Sequence, residues 1–105
     1  GIFFFEAPKE YEEKAVKKAW SLEAAALMNN FAVTLSEVEV FEPETLKQTI
    51  HDFAENNGVG MGKVMMPLRL ALVGELKGPD VPDILQILGK EESSARIRNA
   101  VNNIH

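Results

Sequence analysis

Three prolines and three glycines bracket apolar runs in this chain: Pro43 with Gly58, Pro67 with Gly74, and Pro82 with Gly89. Proline lacks the N–H that the first turn of a helix leaves unpaired anyway, and glycine takes the left-handed turn that often ends one. The punctuation predicts helices opening at Pro43, Pro67 and Pro82 and stopping at the three glycines. Leu46, Ile50, Phe53 and Ala54 supply the apolar stripe of the first of these at helical spacing. Ile84, Leu85, Ile87 and Leu88 follow Pro82, and Ile97, Ala100, Val101 and Ile104 mark a last helix over about 91–103. On that last helix the outer face reads as Arg96, Asn99 and Asn103.

The first third of the chain has the same period. Residues 9–20 put Tyr11, Ala15, Val16, Ala19 and Trp20 on one face, with Glu10–Lys14 and Glu13–Lys17 as acid-first i,i+4 pairs. Ser21 is placed to cap the next helix, although Ala24 stands where a capping box would put Glu or Gln. Ala24, Leu27, Met28, Phe31, Leu35 and Val38 form its stripe. From Val38 to Phe41 the pattern alternates as in a short strand, which leaves the end of that helix open. The expected fold is all-α, a compact bundle of about six helices with no internal repeat.

At 105 residues the chain suits one domain, and 46% hydrophobic with 26% charged residues is an ordinary soluble composition. It has no cysteine, so no disulfide framework and no thiolate metal site. Ile2–Phe5, ended by Glu6 and Pro8, is far too short for a membrane span. It reads either as an edge packed into a core or as part of a chain that continues upstream. Net charge is −5, but unevenly spread: residues 1–57 hold five lysines against eleven acids, whereas residues 58–105 hold six basic residues against five acids. Every arginine lies in the second part, so phosphate, if it is met, is met there.

Gly58, Gly60 and Gly62 before Lys63 raise the question of a phosphate loop. A P-loop requires glycine where Asn57 stands and Ser or Thr where Val64 stands, and a dinucleotide fingerprint requires a preceding strand where this chain predicts a helix. The glycines read better as the stop of one helix and the turn into the next. His51 and His105 are the only imidazoles; His51 has Asp52 and Glu55 beside it, which is too little for a metal site. No residue is assigned to catalysis or to a metal. Met28, Met61, Met65 and Met66 sit in apolar contexts and read as core fillers. Arg69 stands out as the lone charge within Met66–Leu72. From the residues alone two readings stay open: a guanidinium fork held toward a phosphate or base edge, or an internal salt bridge to an acid such as Glu75 or Asp83.

The stretch from Gly62 to Gly74 (GKVMMPLRLALVG), then Gly78-Pro79, Leu88-Gly89-Lys90-Glu91 and Arg96-Ile97, resembles the C-terminal end of bacterial-type glutamyl-tRNA synthetases. The pattern there runs roughly G-K-x-x-x-P-L-R-x-A-L-T-G, a Gly/Thr-Pro turn, L-G-K-E and R-L. Val73 replaces a frequent Thr and Ile97 a frequent Leu, both mild changes. The likeness is strong over 58–101 and weak over 3–20, where Phe3–Phe5, Tyr11 and Lys17-Lys18 are similar to a linker from a preceding helical subdomain.

The resemblance implies the C-terminal fragment of a class I glutamate–tRNA ligase: residues 1–20 as linker, 21–105 as the helical anticodon-binding subdomain. The HIGH- and KMSKS-type signatures are absent from this sequence, so ATP and magnesium would belong to the parent enzyme, with no cofactor in this part. The implied partners are the glutamate tRNA and an upstream catalytic domain, in the cytoplasm, with this part monomeric and no membrane involved. By resemblance Arg69, Gly78, Pro79 and Val81 match positions that contact the second and third anticodon bases. Lys63, Lys77, Lys90 and Arg96 are candidates for backbone phosphates, chosen by charge and place. The alternative is a helical protein–protein module that binds no RNA.

Overall fold

Ser21 opens the longest uninterrupted helix of the first half. In the computed structural model, which describes residue 8 and residues 10–104, its side chain accepts a hydrogen bond from the Ala24 N–H at 3.0 Å. Such a cap satisfies one of the helix's orphan donors and stabilises it by about 1 kcal/mol. Ile2–Phe5, Lys9 and His105 lie outside the described residues. Five helices follow one another: α1 Glu13–Ala19, α2 Leu22–Ser36, α3 Pro43–Asn56, α4 Met61–Val73 and α5 Val81–Asn103. The described residues contain no strand, and the all-α expectation holds.

The elements differ from the expected ones in instructive places. α1 begins at Glu13 rather than near residue 9, so Glu10 and Lys14 do not share a helix, whereas Glu13 and Lys17 do pair, at 3.7 Å on an exposed surface. The alternating Val38–Phe41 forms bends and no strand, because the described residues offer no second strand to pair with it. Val38 nevertheless turns into the core. Pro43 stands at the first position of α3 as predicted, and Gly58 follows α3 with φ of 66°.

Pro67 corrects the sequence reading. It lies inside α4, which starts two turns earlier at Met61, with Gly60 as N-cap. An interior proline forfeits the bond to the carbonyl four residues back, here Lys63, at a cost of about 3 kcal/mol. Val64, Leu68, Leu70, Ala71 and Leu72 on the same helix are fully buried. Each large side chain among them gains roughly 1.5–3 kcal/mol on burial, so packing outweighs the local rule. Gly74 then ends α4 in the left-handed region at φ 81°. It must be glycine twice over, since a Cβ there would lie 3.0 Å from the Glu10 carbonyl oxygen and 3.1 Å from Pro8.

α5 runs through a break. The expected pair of helices on either side of Gly89 is found as one element whose backbone leaves helical values at Gly89, with φ 83° and ψ 168°. Five helices and about six are thus one architecture counted differently. α4 and α5 form the centre, α4 meeting all four other helices and α5 packing on α2, α3 and α4. Phe31 of α2 and Phe53 of α3 meet edge to face at 5.2 Å within the shared core.

Arg96 is the second correction. Expected on the outer face of α5, it is only 2% exposed. Its Nε lies 2.7 Å from Glu92 Oε2, and its Nη1 donates to the Leu72 carbonyl at 2.9 Å. Ser93 and Ala100, three and four residues away, and the adjacent Ile97 are buried with it and mark the true inner face. A cation placed on a carbonyl of the last turn of α4 complements the negative end of that helix. Asn99 and Asn103 do face solvent.

Candidate nucleic-acid interface

Arg69 sits on α4 half-buried, and its Nη1 donates to the carbonyl of Pro79, ten residues away. Gly78 lies beside it at φ 128°, and a Cβ on Gly78 would stand 3.7 Å from the same Nη1. The fold thereby gathers Arg69, Gly78 and Pro79 into one corner, with Gly78 and Pro79 exposed. Among the described residues no carboxylate forms a salt bridge with Arg69, so the internal pairing with Glu75 or Asp83 is not formed. The partner is a neutral carbonyl. The guanidinium is therefore held in place with its charge uncompensated, and its other N–H donors remain for a ligand.

Val81 stands differently from its expectation. Its side chain is fully buried in the core at the first turn of α5, so it can offer a ligand backbone only. Of the phosphate candidates, Lys63 is exposed on the first turn of α4 and Lys77 is exposed next to Gly78. Lys90 reaches the Ser36 carbonyl at 3.4 Å and lines a separate depression with Leu88, Glu91 and Ala95. Arg96, buried and bonded as described, is not presented to solvent.

The methionines split. Met28 is core, as expected, but Met61, Met65 and Met66 are only half-buried and line surface depressions along α4. One depression of about 210 Å³ brings Lys18, Met65, Met66, Arg69 and Leu76 together. A second, about 360 Å³, adjoins it through Met65 and reaches Met61, Lys47 and Asp80. Met61, Met65 and Arg69 stand four residues apart, one helical face, a signal the sequence carries once α4 is known to begin before Pro67. His51 Nδ1 lies 3.6 Å from Asp52 and 3.7 Å from Glu55, all three exposed on α3.

Residues 1–101 match the family described as the anticodon binding domain. The chain belongs to that family. Its relatives include the glutamate–tRNA ligase of Flavobacterium johnsoniae, 45% identical over 100 residues that make up 95% of this chain and 20% of the relative. Another is that of Porphyromonas gingivalis, 43% identical over 94% of this chain and 20% of the relative. Among solved structures, a glutamate tRNA ligase from Elizabethkingia meningosepticum in complex with its amino acid superposes with a TM-score of 0.92 at 53% identity, over 95% of this chain and 20% of that one. The chain spans about a fifth of the length of the relatives it matches. The resemblance drawn from the motifs is borne out, and so is the helical fold of this anticodon-binding domain. No helix of the described residues is long and apolar enough to cross a membrane.

Proposed function

We propose that this domain reads the anticodon of a glutamate tRNA as part of a glutamate–tRNA ligase. The observation that carries the reading is the Arg69–Pro79 tie, which holds an uncompensated guanidinium at an exposed Gly-Pro turn. Anticodon bases are splayed out of the stack and are recognised on their edges and faces. Arg69 supplies paired donors for an edge, the exposed Pro79 ring offers a flat surface, and Gly78 leaves the backbone open to approach. Because Arg69 is already oriented by the Pro79 carbonyl, little side-chain freedom is lost on binding. Ligation itself, with its ATP and magnesium, would fall to the remainder of such an enzyme, together with the upstream contacts to the tRNA. The working form is a monomer in the cytoplasm, with residues 21–105 as the reading unit and 1–20 as its connection.

The test is fluorescence anisotropy of anticodon stem-loop RNAs carrying the glutamate anticodon or one with its second or third base changed. Arg69→Ala should weaken cognate binding by about 1–3 kcal/mol, roughly 5- to 150-fold, and leave the changed loops nearly unaffected. Equal loss on every loop, accompanied by a lower melting temperature, would assign Arg69 to structure alone and sink the reading.

A further inference from the structure

A cleft of about 380 Å³ between α1, α2 and the start of α4 runs against the charge of this acidic chain. It brings Lys17, Lys18 and Lys63 to one place with Trp20, Gly62 and Met66, against one acid, Glu23. The whole chain carries −5, so a lining with three cations and one anion runs opposite to the average. Lys17 is also 3.7 Å from Glu13, an exposed contact that solvent screens.

Two further features point to a ligand. Gly62 has an ordinary φ and nothing within 4 Å of where a Cβ would sit, so no internal contact requires glycine there. Gly60, the N-cap of α4, has no side chain with which to satisfy the helix's first N–H groups. A bare backbone at a helix N-terminus, set among lysines, lets a phosphate oxygen approach closely. The cleft is also continuous with the Arg69 corner, because Lys18 and Met66 line both depressions. Lys63 and Arg69 are six residues apart on α4, about 9 Å along its axis. That exceeds one stacked nucleotide rise of roughly 3.4 Å, so a ligand in the cleft is not the base held at Arg69.

We infer that this cleft is a second nucleotide subsite, taking the sugar-phosphate of an RNA residue that flanks the bases at Arg69. Its phosphate meets Lys17, Lys18, Lys63 and the first turn of α4, and its base lies against Trp20 and Met66. The inference rests on the anticodon reading above and adds a site with no base preference to it.

Anisotropy of the same stem-loops, titrated from low to moderate salt against the 105-residue chain, tests both. Losing the one single-strand phosphate that the three lysines share lowers the slope of log K against log salt by about 0.7. The Lys17→Gln/Lys18→Gln/Lys63→Gln variant should show that drop and bind roughly tenfold more weakly, while still preferring the cognate anticodon. A control of equal charge change at exposed positions outside the cleft, Lys14→Glu/Arg98→Gln, should keep most of the slope. Gly62→Ala should raise the melting temperature, as alanine does in a helix, yet weaken binding, a combination that a purely structural glycine would not give. If the lysine variant and the control behave alike, or if Gly62→Ala binds as the parent does, the subsite is wrong while the anticodon reading stands. If the parent chain itself shows no anticodon preference, the anticodon reading fails first.

Discussion

Arg69 and Arg96 carry the same guanidinium and differ in what surrounds it. Arg96 spends its donors inside the protein, on Glu92 and on the carbonyl of Leu72. Arg69 spends one on Pro79 and stays half open to solvent. Arg96→Ala removes a buried cation and leaves the Leu72 carbonyl without that donor. It should cost about 2–4 kcal/mol of stability, read as a lower urea midpoint and a melting temperature reduced by at least about 8 °C. Any anticodon preference of the kind proposed above should survive in the fraction that remains folded. The sequence misleads on both: Arg69 stands among apolar neighbours and Arg96 among polar ones such as Ser93, Ser94 and Arg98, and the inner face of a helix is fixed only when its phase is known. For Arg96 the phase set by Ser93, Ile97 and Ala100 was legible, but the rule that charges face outward concealed it.

Helix boundaries follow from the contest between local backbone rules and packing. Pro43 and Gly58 obeyed the local rules, and both could be read from the chain. Pro67 did not, because the apolar residues around it bury enough surface to continue α4 past a missing hydrogen bond. The misplaced start hid the shared face of Met61, Met65 and Arg69 and made half-buried methionines read as core alone. Gly89 gives the cleanest element-scale measurement. Its φ of 83° with ψ of 168° belongs to a region that essentially only glycine occupies, and a Cβ there would meet nothing within 4 Å. Gly89→Ala therefore carries backbone strain without a clash, and should cost about 1–3 kcal/mol. A denaturant titration should show a lower midpoint at unchanged m, since the folded and unfolded states keep their compactness. An unchanged midpoint would mean that α5 straightens through residue 89 at no cost.

At the scale of the whole molecule, the segment just before α1 is fastened to α5 and to the end of α4. Asn99, on α5, donates to the Tyr11 hydroxyl at 2.9 Å, joining residues 88 positions apart, and the Glu12 N–H donates to the Gly74 carbonyl at 2.8 Å. Burial pushes the Tyr11 hydroxyl above its ordinary value of 10.0, and the Asn99 bond offsets part of that rise. A raised value in the folded state means that the neutral form is favoured there. The corresponding stability is fully present below the unfolded tyrosine value and is lost as pH climbs through the folded one. Urea midpoints between about pH 9 and 11 should fall more steeply for the parent than for Tyr11→Phe. Parallel curves would show that the hydroxyl does not sense folding. The lysine-lined cleft has a consequence at this scale too. An acidic body measuring 33 × 32 × 21 Å that bears a lysine-lined cleft is a lopsided electric object. At physiological ionic strength its field reaches about 8 Å, a fraction of its own width. A polyanion drifting past would feel no pull from afar; near the surface it would be turned away by most approaches and rotated into line by one, so its orientation would be selected before any contact is made.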